Sequence, residues 1–447
     1  MRLHLIALLA LLTLLLAACG SSSTGAPLST TSNGSSSDTP LPTTNSGSSN
    51  TNIALGNAPT GNNVVALSVD PGYAAIEPAG GFYPNEMYTT IQVCVPGTTT
   101  CQTIDHIEVD TGSSGLRLLA GSAEVGNLTS QLPAVTSGSQ AYAECLPFVE
   151  SYSWGSVHRA DVTVGGEFAS SIPVQIVGDP AYSVPADCAN ASLAPNNTPQ
   201  SFGANGLIGI GNLAHDCGAS CATSSGNGYY YLCTPGTASS CTGAEAALAD
   251  QLPNPITRFA ADTNGIADNN GSIVMLPALP AQGAATASGV LIFGIGTRDN
   301  NGLGSATVHF LDDAGNVQTI YNSTNYPNSY VDSGTDDYEI PDNSIPPCTK
   351  HGDGGDFDCP LSTLNLQASV EGTNTAVVSS VSFSVESAAH LFSSNPTFAA
   401  FDDLADSAPP ETDSFAWGLP FFFGRPVYNS INGQTVAGYG SNTFVAF

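Results

Sequence analysis

Two short carboxylate motifs, far apart in the chain, constrain its fold more than any other feature. The first is Val109-Asp110-Thr111-Gly112-Ser113-Ser114 and the second is Val331-Asp332-Ser333-Gly334-Thr335. Each follows an apolar, strand-like stretch, and the aspartates are 222 positions apart, from 110 to 332. The match predicts two related halves that bring their aspartates to one site.

The residues after each aspartate suit a close meeting of two loops. Glycine has no side chain, so Gly112 and Gly334 allow another backbone to approach closely. The hydroxyl groups of Thr111 and Ser333 can hydrogen-bond across to the opposite loop. We therefore expect these four residues to support the site.

Asp110 and Asp332 are the expected reactive pair. The hydroxyls of Ser113 and Thr335 can donate to their outer carboxylate oxygens. Two carboxylates within about 3 Å cannot both ionise and instead share one proton. One can then act as a base toward water and the other as an acid toward a carbonyl oxygen. Either motif alone is also typical of an ordinary Asp-containing turn, so the interpretation depends on the pair.

The chain resembles the pepsin-like aspartic peptidases over residues 62–447. Six stretches follow the family's order. They are similar to the first active-site strand (105–119, DHIEVDTGSSGLRLL), the flap tip (152–156, YSWGS), the segment behind the first aspartate (205–211, NGLIGIG), a strand opening the second half (289–296, GVLIFGIG), the second active-site strand (330–341, YVDSGTDDYEIP) and its supporting segment (417–439, WGLPFFFGRPVYNSINGQTVAGY).

This resemblance implies a mainly β, bilobal fold with the active site between two related lobes. It implies that Asp110 and Asp332 are catalytic and that Tyr152 and Trp154 belong to a flap over the bound substrate. The DTGSSGLRLL stretch is also similar to a bacterial branch of largely uncharacterised lipoproteins.

Several features depart from the family pattern. Ser333 stands where Thr is commoner, which keeps the hydroxyl, and Leu419 follows Gly418 where an Asp is usual. Trp154 is inserted in a flap tip that is normally built of small residues, which puts the role of Tyr152 in question. Residues 20–61 contain no Lys or Arg, so release of a basic prosegment is not indicated.

The N-terminus predicts export. Residues 1–18 have the pattern of a signal peptide, because Met1-Arg2 precedes an apolar run that is too short to span a membrane. Cys19 closes a segment that resembles a bacterial lipobox, so we expect it to carry the lipid anchor. Gly20 favours the outer membrane by resemblance to bacterial sorting.

A linker is expected between this anchor and the folded part. Residues 19–61 are nearly all Ser, Thr, Gly, Asn and Pro after the cysteine, and Asp38 is their only charged residue. Such a composition buries no core and predicts a disordered tether with a reach of about 35–40 Å.

The remaining residues are expected to form an N-terminal lobe, 62–260, and a C-terminal lobe, 261–447. Short alternating runs recur, as in 160–164 and 381–385, and favour strands. The clearest helix prediction is 244–252, which ends at Pro253.

The cysteine count favours an oxidising compartment. Eleven cysteines less the lipidated one leave ten, an even number suited to disulfides. Sequence proximity suggests four pairs and leaves Cys145 and Cys188, although many other connectivities exist. The suggested pairs are Cys94 with Cys101, Cys217 with Cys221, Cys233 with Cys241 and Cys348 with Cys359.

The charge balance bears on partners. Seven basic against 37 acidic residues give a formal net charge of −30, which argues against nucleic acid and anionic lipid surfaces. The acidic stretch 351–358 could bind Ca²⁺ but lacks the ligand spacing of an EF-hand, and a solvated loop is the simpler interpretation. We therefore expect no cofactor and no metal.

Together these observations predict an aspartic endopeptidase that hydrolyses peptide bonds with a water activated by Asp110 and Asp332. Its expected partners are a polypeptide substrate and, through Cys19, the membrane, and we expect a monomer. The alternative is a tethered binding protein that keeps the peptidase cleft without turnover.

Overall fold

The computed structural model describes residues 43–44, 52–72, 83–148, 151–189, 193–234, 241–348, 357–373, 377–407 and 413–447. The predicted signal peptide, Cys19 and most of the predicted linker lie outside these residues, as does most of the acidic stretch 351–358. The described residues belong to one compact unit, Asp38–Phe447. They form mainly strands, which confirms the predicted β class.

Strands dominate the regular secondary structure of the first half of the fold. Its helices are short: α1 (Pro199–Phe202), α2 (Ala219–Thr223) and a 3-10 turn at Gly126–Leu128. The strands are β1 (Thr43–Thr44), β2 (Asn52–Leu55), β3 (Val64–Val69), β4 (Met87–Cys94), β5 (Cys101–Asp110), β6 (Ser114–Leu119), β7 (Thr136–Ser137), β8 (Gln140–Pro147), β9 (Ser151–Val164), β10 (Glu167–Val177), β11 (Ala194–Pro195), β12 (Gly206–Ile210), β13 (Tyr230–Cys233) and β14 (Thr242–Gly243).

The second half is built in the same way. It contains α3 (Ala388–Ser394) and 3-10 turns at Pro255–Arg258 and Leu419–Phe422. Its strands are β15 (Gly271–Met275), β16 (Thr286–Phe293), β17 (Val308–Phe310), β18 (Val317–Tyr321), β19 (Thr324–Val331), β20 (Tyr338–Glu339), β21 (Leu364–Glu371), β22 (Val378–Val385), β23 (Ala405–Asp406), β24 (Ala416–Trp417), β25 (Pro426–Ser430) and β26 (Phe444–Ala446).

The first aspartate stands at the end of a buried strand. β5 alternates at its start, but its last four residues are all buried, since β4 and β12 flank it on either side. β12 runs parallel to β5, with Gly209 opposite Asp110, and antiparallel to β6. The chain therefore leaves the sheet at Asp110, turns, and returns as β6 on the far side of β12.

The second aspartate has the same surroundings. β19 ends at Val331 and pairs in parallel with β24, which in turn pairs antiparallel with β20. The backbone N–H of Asp332 donates to the carbonyl of Trp417, 3.0 Å away. Both halves thus share one arrangement, in which a supporting strand lies between the strand before the aspartate loop and the strand after it. The supporting strand is β12 in the first half and β24 in the second. This repeat confirms the predicted fold of two related lobes, while the predicted boundary between residues 260 and 261 stays a prediction.

A set of antiparallel strands joins the two halves. β3 pairs with β4 of the first half and with β16 of the second, and β15 links β16 to β25. The largest buried apolar cluster crosses from one half to the other and includes Val109, Ile208, Val331 and Trp417. The strands that precede the two aspartate loops therefore pack in the same hydrophobic core.

Among the described residues, four disulfides join the pairs suggested by sequence proximity, and a fifth joins the two cysteines that proximity left unassigned. They join Cys94 to Cys101, Cys145 to Cys188, Cys217 to Cys221, Cys233 to Cys241 and Cys348 to Cys359.

The predicted linker reaches too far along the chain. Residues Asn52–Leu55 form β2, which pairs in parallel with β16 and buries Ile53 and Leu55. Alternate apolar residues were present in this short stretch, but the surrounding Ser/Thr/Gly-rich composition obscured them. Ordered structure therefore begins before residue 62.

The helix predicted for 244–252 is wrong. Ala246 donates its backbone N–H to Cys221, and the Gln251 side chain donates to the carbonyls of Gly218 and Ala246. These tertiary hydrogen bonds replace helical ones, and the helical turn comes after Pro253, at Pro255–Arg258.

Candidate active site

Asp110 is held by the loop that follows it. Its Oδ1 accepts the backbone N–H groups of Gly112 at 2.6 Å and Ser113 at 3.2 Å. Its Oδ2 accepts the hydroxyl of Ser113 in a short hydrogen bond. The residue is 5% exposed, so the carboxylate has one fixed orientation.

Asp332 is held in the same way. Its Oδ1 accepts the backbone N–H of Gly334 at 2.8 Å, and its Oδ2 accepts the Thr335 hydroxyl at 2.9 Å. The donation from Ser113 and Thr335 to the carboxylates, expected from the sequence, is therefore present in both loops.

The loops are bonded to each other through their hydroxyl residues. The Ser333 N–H donates to Thr111 Oγ1 at 2.9 Å, and the Thr111 N–H donates to Ser333 Oγ at 3.2 Å. The Ser333 hydroxyl donates onward to the Val109 carbonyl at 2.7 Å. Thr111 and Ser333 are each 2% exposed, so these bonds are shielded from water.

Each loop glycine faces the opposite carboxylate. A Cβ added to Gly112 would lie 2.5 Å from Asp332 Cγ, and one added to Gly334 would lie 2.9 Å from Asp110 Cγ. Both distances are shorter than real side chains permit. The two glycines are thus required because the opposite aspartate occupies the space that a side chain would fill.

The two carboxylates interact electrostatically. Burial, and then the negative charge of Asp110, raises the pKa of Asp332 well above its ordinary value, and a hydrogen bond with Asp110 adds to this. The hydrogen bonds from Gly334 and Thr335 oppose the shift. The pair therefore retains a proton at a pH where isolated aspartates would both be ionised.

Two other carboxyl groups, Glu108 and Glu86, interact with the pair and were missed in the sequence. Burial, followed by the charges of Glu86, Asp110 and Asp332, raises the pKa of Glu108 well above its usual value. Burial, followed by Asp336 and Asp110, raises the pKa of Glu86 to about 8. The available signal was Glu108 itself, a charged residue in the buried end of β5.

A buried ion pair supports the first loop from behind. Arg117 Nη2 lies 2.8 Å from Glu144 Oε1, with both side chains fully buried, and Arg117 Nη1 donates to the Ser114 carbonyl at 2.9 Å. Burial and the nearby Glu144 raise the pKa of Asp216, whose carboxyl also accepts the Tyr230 hydroxyl at 2.6 Å. A charged residue inside the apolar run of β6 was the sequence signal for this network.

Tyr152 and Trp154 lie inside β9 rather than at a hairpin tip. The turn between β8 and β9 comes earlier, where Phe148 donates its N–H to the Ser151 carbonyl. Gly155, read as a flap glycine, is instead a point of close approach: an added Cβ would lie 1.8 Å from the Ile176 carbonyl oxygen.

The two aromatic side chains are buried in a cluster of their own. Trp154 packs edge-on against Tyr231 with ring centroids 5.4 Å apart, and its indole N–H donates to the Tyr182 carbonyl. Tyr152 belongs to the same cluster, beside the Cys145–Cys188 disulfide. Their proposed contact with substrate stays a prediction.

Within the described ranges, no group of three or more His, Cys, Asp or Glu side chains is arranged to hold a metal ion. Nor does any helix among these residues have the length and apolar character needed to cross a membrane.

The described residues thus form a mainly β fold in which two aspartate loops meet. A family model described as "Protein of unknown function (DUF3443)" matches residues 59–447, and the chain belongs to this family. Among solved structures, it is similar to the aspartic proteinase from Irpex lacteus, with 13% sequence identity, a TM-score of 0.44, and coverage of 86% of this chain and 96% of that one. No curated protein matches the sequence.

Proposed function

We propose that this protein is an aspartic endopeptidase. The observation that carries the proposal is the symmetric pair: Asp110 and Asp332 are each fixed by their own loop, each faces the opposite glycine, and they share a hydrogen bond. Such a pair holds one proton between two carboxylates, which is the arrangement needed for coupled acid and base catalysis.

The reaction uses a water between the two carboxyl groups. The ionised aspartate accepts a proton from this water as its oxygen bonds to the amide carbon, while the protonated aspartate donates to the carbonyl oxygen. The aspartate that accepted the proton from water then gives it to the amide nitrogen, while the other aspartate takes a proton back from a hydroxyl of the tetrahedral intermediate. The C–N bond breaks, and the pair again holds one proton. The starting proton belongs to the coupled pair rather than to one residue.

The supporting residues keep this geometry without reorganisation. The Thr111–Ser333 bonds fix the separation of the loops, and the Ser113 and Thr335 hydroxyls orient the carboxylates. Preorganised groups of this kind lower the cost of reaching the transition state.

Incubation of the full purified chain in detergent with an unfolded protein, from pH 3 to 7, tests the proposal. We expect internal cuts, detected by mass spectrometry, and inhibition by peptides whose scissile amide is replaced by a tetrahedral hydroxyl-bearing group. Binding of such a peptide without any cleavage would support the second candidate below.

The second candidate is a binding protein that retains the cleft without turnover. The observation that favours it is the burial of Tyr152 and Trp154 among the cysteines of their own cluster, since these were the residues expected to cover a substrate.

We also propose that the protein is an exported lipoprotein anchored through Cys19, on the outer membrane. The signal-like residues 1–18 support this, and so do five disulfides, which form in oxidising compartments. Cys19→Ser should release the protein from the membrane fraction or leave its precursor unprocessed; unchanged membrane attachment and processing would contradict the anchor.

A further inference from the structure

Three carboxyl groups lie around the aspartate pair without a part in the reaction. Glu108 is two residues before Asp110 on the same strand, so both side chains point to the same face of the sheet. Asp336 follows Asp332 by four residues, and Glu86 interacts electrostatically with both Asp336 and Asp110. Together they form an acidic wall, defined here as Glu86, Glu108 and Asp336.

The segment that carries Glu86 is fixed between the two halves. The neighbouring Asn85 donates from Nδ2 to the carbonyls of Asp336, at 2.7 Å, and Phe401, at 2.9 Å. It accepts the Phe401 N–H at 2.8 Å. Asn85 is 1% exposed, so these buried hydrogen bonds fix the position of the backbone that carries Glu86.

Glu108 is a buried carboxyl group for which the structure describes no hydrogen-bond partner. It is 7% exposed, and no described residue donates a hydrogen bond to its carboxyl group. Burying such a group without compensation costs free energy, and the groups that face it, Glu86, Asp110, Asp332, Asp336 and Tyr88, are all acidic.

Among the residues that the structure describes, no arginine forms a hydrogen bond or ion pair with Glu86 or Glu108. Each described arginine interacts elsewhere. Arg117 pairs with Glu144, Arg159 with Asp250, Arg298 with Asp262 and Asp268, Arg258 lies beside His215, and Arg425 covers the ring of Phe421. Within the part of the chain that the structure describes, Glu86 and Glu108 therefore have no cationic partner, and a cation on a bound ligand would supply one.

We propose that the acidic wall selects substrates with a Lys or Arg side chain beside the scissile bond. This inference rests on the proposed peptidase function and names its substrate class. An ammonium or guanidinium group would give Glu108 the charge-assisted hydrogen bond that it lacks. The formal net charge of −30 would also attract cationic peptides from a distance.

The protonation of the wall gives this selection a pH dependence. In the empty site, burial and mutual repulsion keep the pKa of Glu86 at about 8 and that of Glu108 well above its usual value. A bound cation favours the ionised carboxylate, so a proton leaves when the cation binds. Because proton release is easier at higher pH, the preference for a cation should grow as pH rises from 4 to 7.

Paired peptides test the inference. Cut sites in an unfolded protein first locate the favoured position, and two peptides then differ there only by Lys or norleucine, which has a similar chain without the charge. We expect wild-type kcat/KM to favour Lys by roughly 10- to 100-fold, the value of a charge-assisted hydrogen bond. Glu108→Gln should bring the ratio close to one, whereas the exposed Glu245→Gln should leave it unchanged.

Peptides with a tetrahedral isostere in place of the scissile amide separate this inference from the peptidase proposal. If the wild type cuts neither substrate, calorimetric binding of the Lys and norleucine isosteres still reports selectivity, and a Lys preference that Glu108→Gln abolishes would uphold the acidic wall. Equal affinity, or equal kcat/KM, for both peptides in the wild type would overturn it. If Glu108→Gln does not fold, two other measurements test the acidic wall. Glu86→Gln should lower the preference for Lys over norleucine, and in the wild type this preference should grow as pH rises from 4 to 7.

Discussion

At the residue scale, the site depends on two hydroxyl groups that neither react nor touch the carboxylates. Thr111 Oγ1 and Ser333 Oγ each accept a buried N–H from the opposite loop. These two hydrogen bonds join the two turns into one rigid unit. The distance between the aspartates is therefore set by the hydroxyl groups of Thr111 and Ser333.

Removing one of these hydroxyls should destabilise the whole fold. Thr111→Val leaves the Ser333 N–H buried without an acceptor, at a cost of about 1–3 kcal/mol in the free energy of unfolding. Thr103→Val, at an exposed position of the preceding strand β5, should change the free energy of unfolding by less than about 0.5 kcal/mol. Denaturant unfolding measures both, and equal effects would show that the cross-loop bond contributes nothing.

The loop glycines give a second prediction at this scale. Gly112→Ala places a Cβ within 2.5 Å of Asp332 Cγ, so the carboxylates must move apart. A displacement of this size should lower kcat by about 100-fold or more. Gly302→Ala, an exposed position with no atom within 4 Å of the added Cβ, is the matched control. Wild-type activity in Gly112→Ala would mean that the loops are not packed against each other.

At the scale of elements, the sequence predicted the parts with a repeated local pattern. The strand before each aspartate follows from its local apolar pattern, and four cysteine pairs follow from sequence proximity. The supporting segment 205–211 was indicated by the family resemblance. The cross-loop bonds also follow, because small hydroxyl residues beside glycine allow few other arrangements.

Elements governed by distant contacts were not predictable. The stretch 244–252 has helical composition, yet bonds from Gln251 and Ala246 to other segments decide its conformation. The family resemblance places Gly155 in a flap tip, whereas the structure requires glycine there because the backbone of β10 passes too close for a Cβ. Glu108 acquires its environment only when Glu86 and the second half are brought beside it.

The disulfides give the prediction for this scale. Cys145–Cys188 closes 43 residues and Cys94–Cys101 only 7. Loop-closure entropy then predicts that replacing the longer pair by alanine costs about 1.5 kcal/mol more than replacing the shorter one. Urea unfolding of the two double variants measures the difference, and a larger loss for the shorter pair would contradict the loop-length argument.

At the scale of the whole molecule, buried carboxyl groups dominate the dependence of stability on pH. Burial raises the pKa of Glu86 to about 8, of Asp403 to about 8 and of Asp358 to about 7. Unfolded carboxyls titrate near 4. Their contribution to stability is therefore complete below about pH 4 and is lost as pH rises through 7 to 8.

The melting temperature should accordingly be higher at pH 5 than at pH 8. Asp70 and Asp342 act in the opposite direction, because hydrogen bonds to their carboxylates outweigh burial and lower the pKa of each. They are outnumbered by the buried groups. Calorimetry at low salt checks the sign, and a melting temperature that climbs steadily from pH 5 to pH 8 would show that hydrogen-bonded carboxylates outweigh the buried ones.

The central claim is that Asp110 and Asp332 act as one catalytic unit, and replacing each in turn tests it most directly. Asp110→Asn and Asp332→Asn should each reduce the rate of cleavage of an unfolded protein by at least about a thousandfold. Each substitution alone disables the pair, because the two residues act as a unit and the effects of their substitutions are not additive. The exposed Asp313→Asn should cleave like the wild type. Undiminished cleavage by either active-site variant, with its fold intact by melting temperature, would contradict the account.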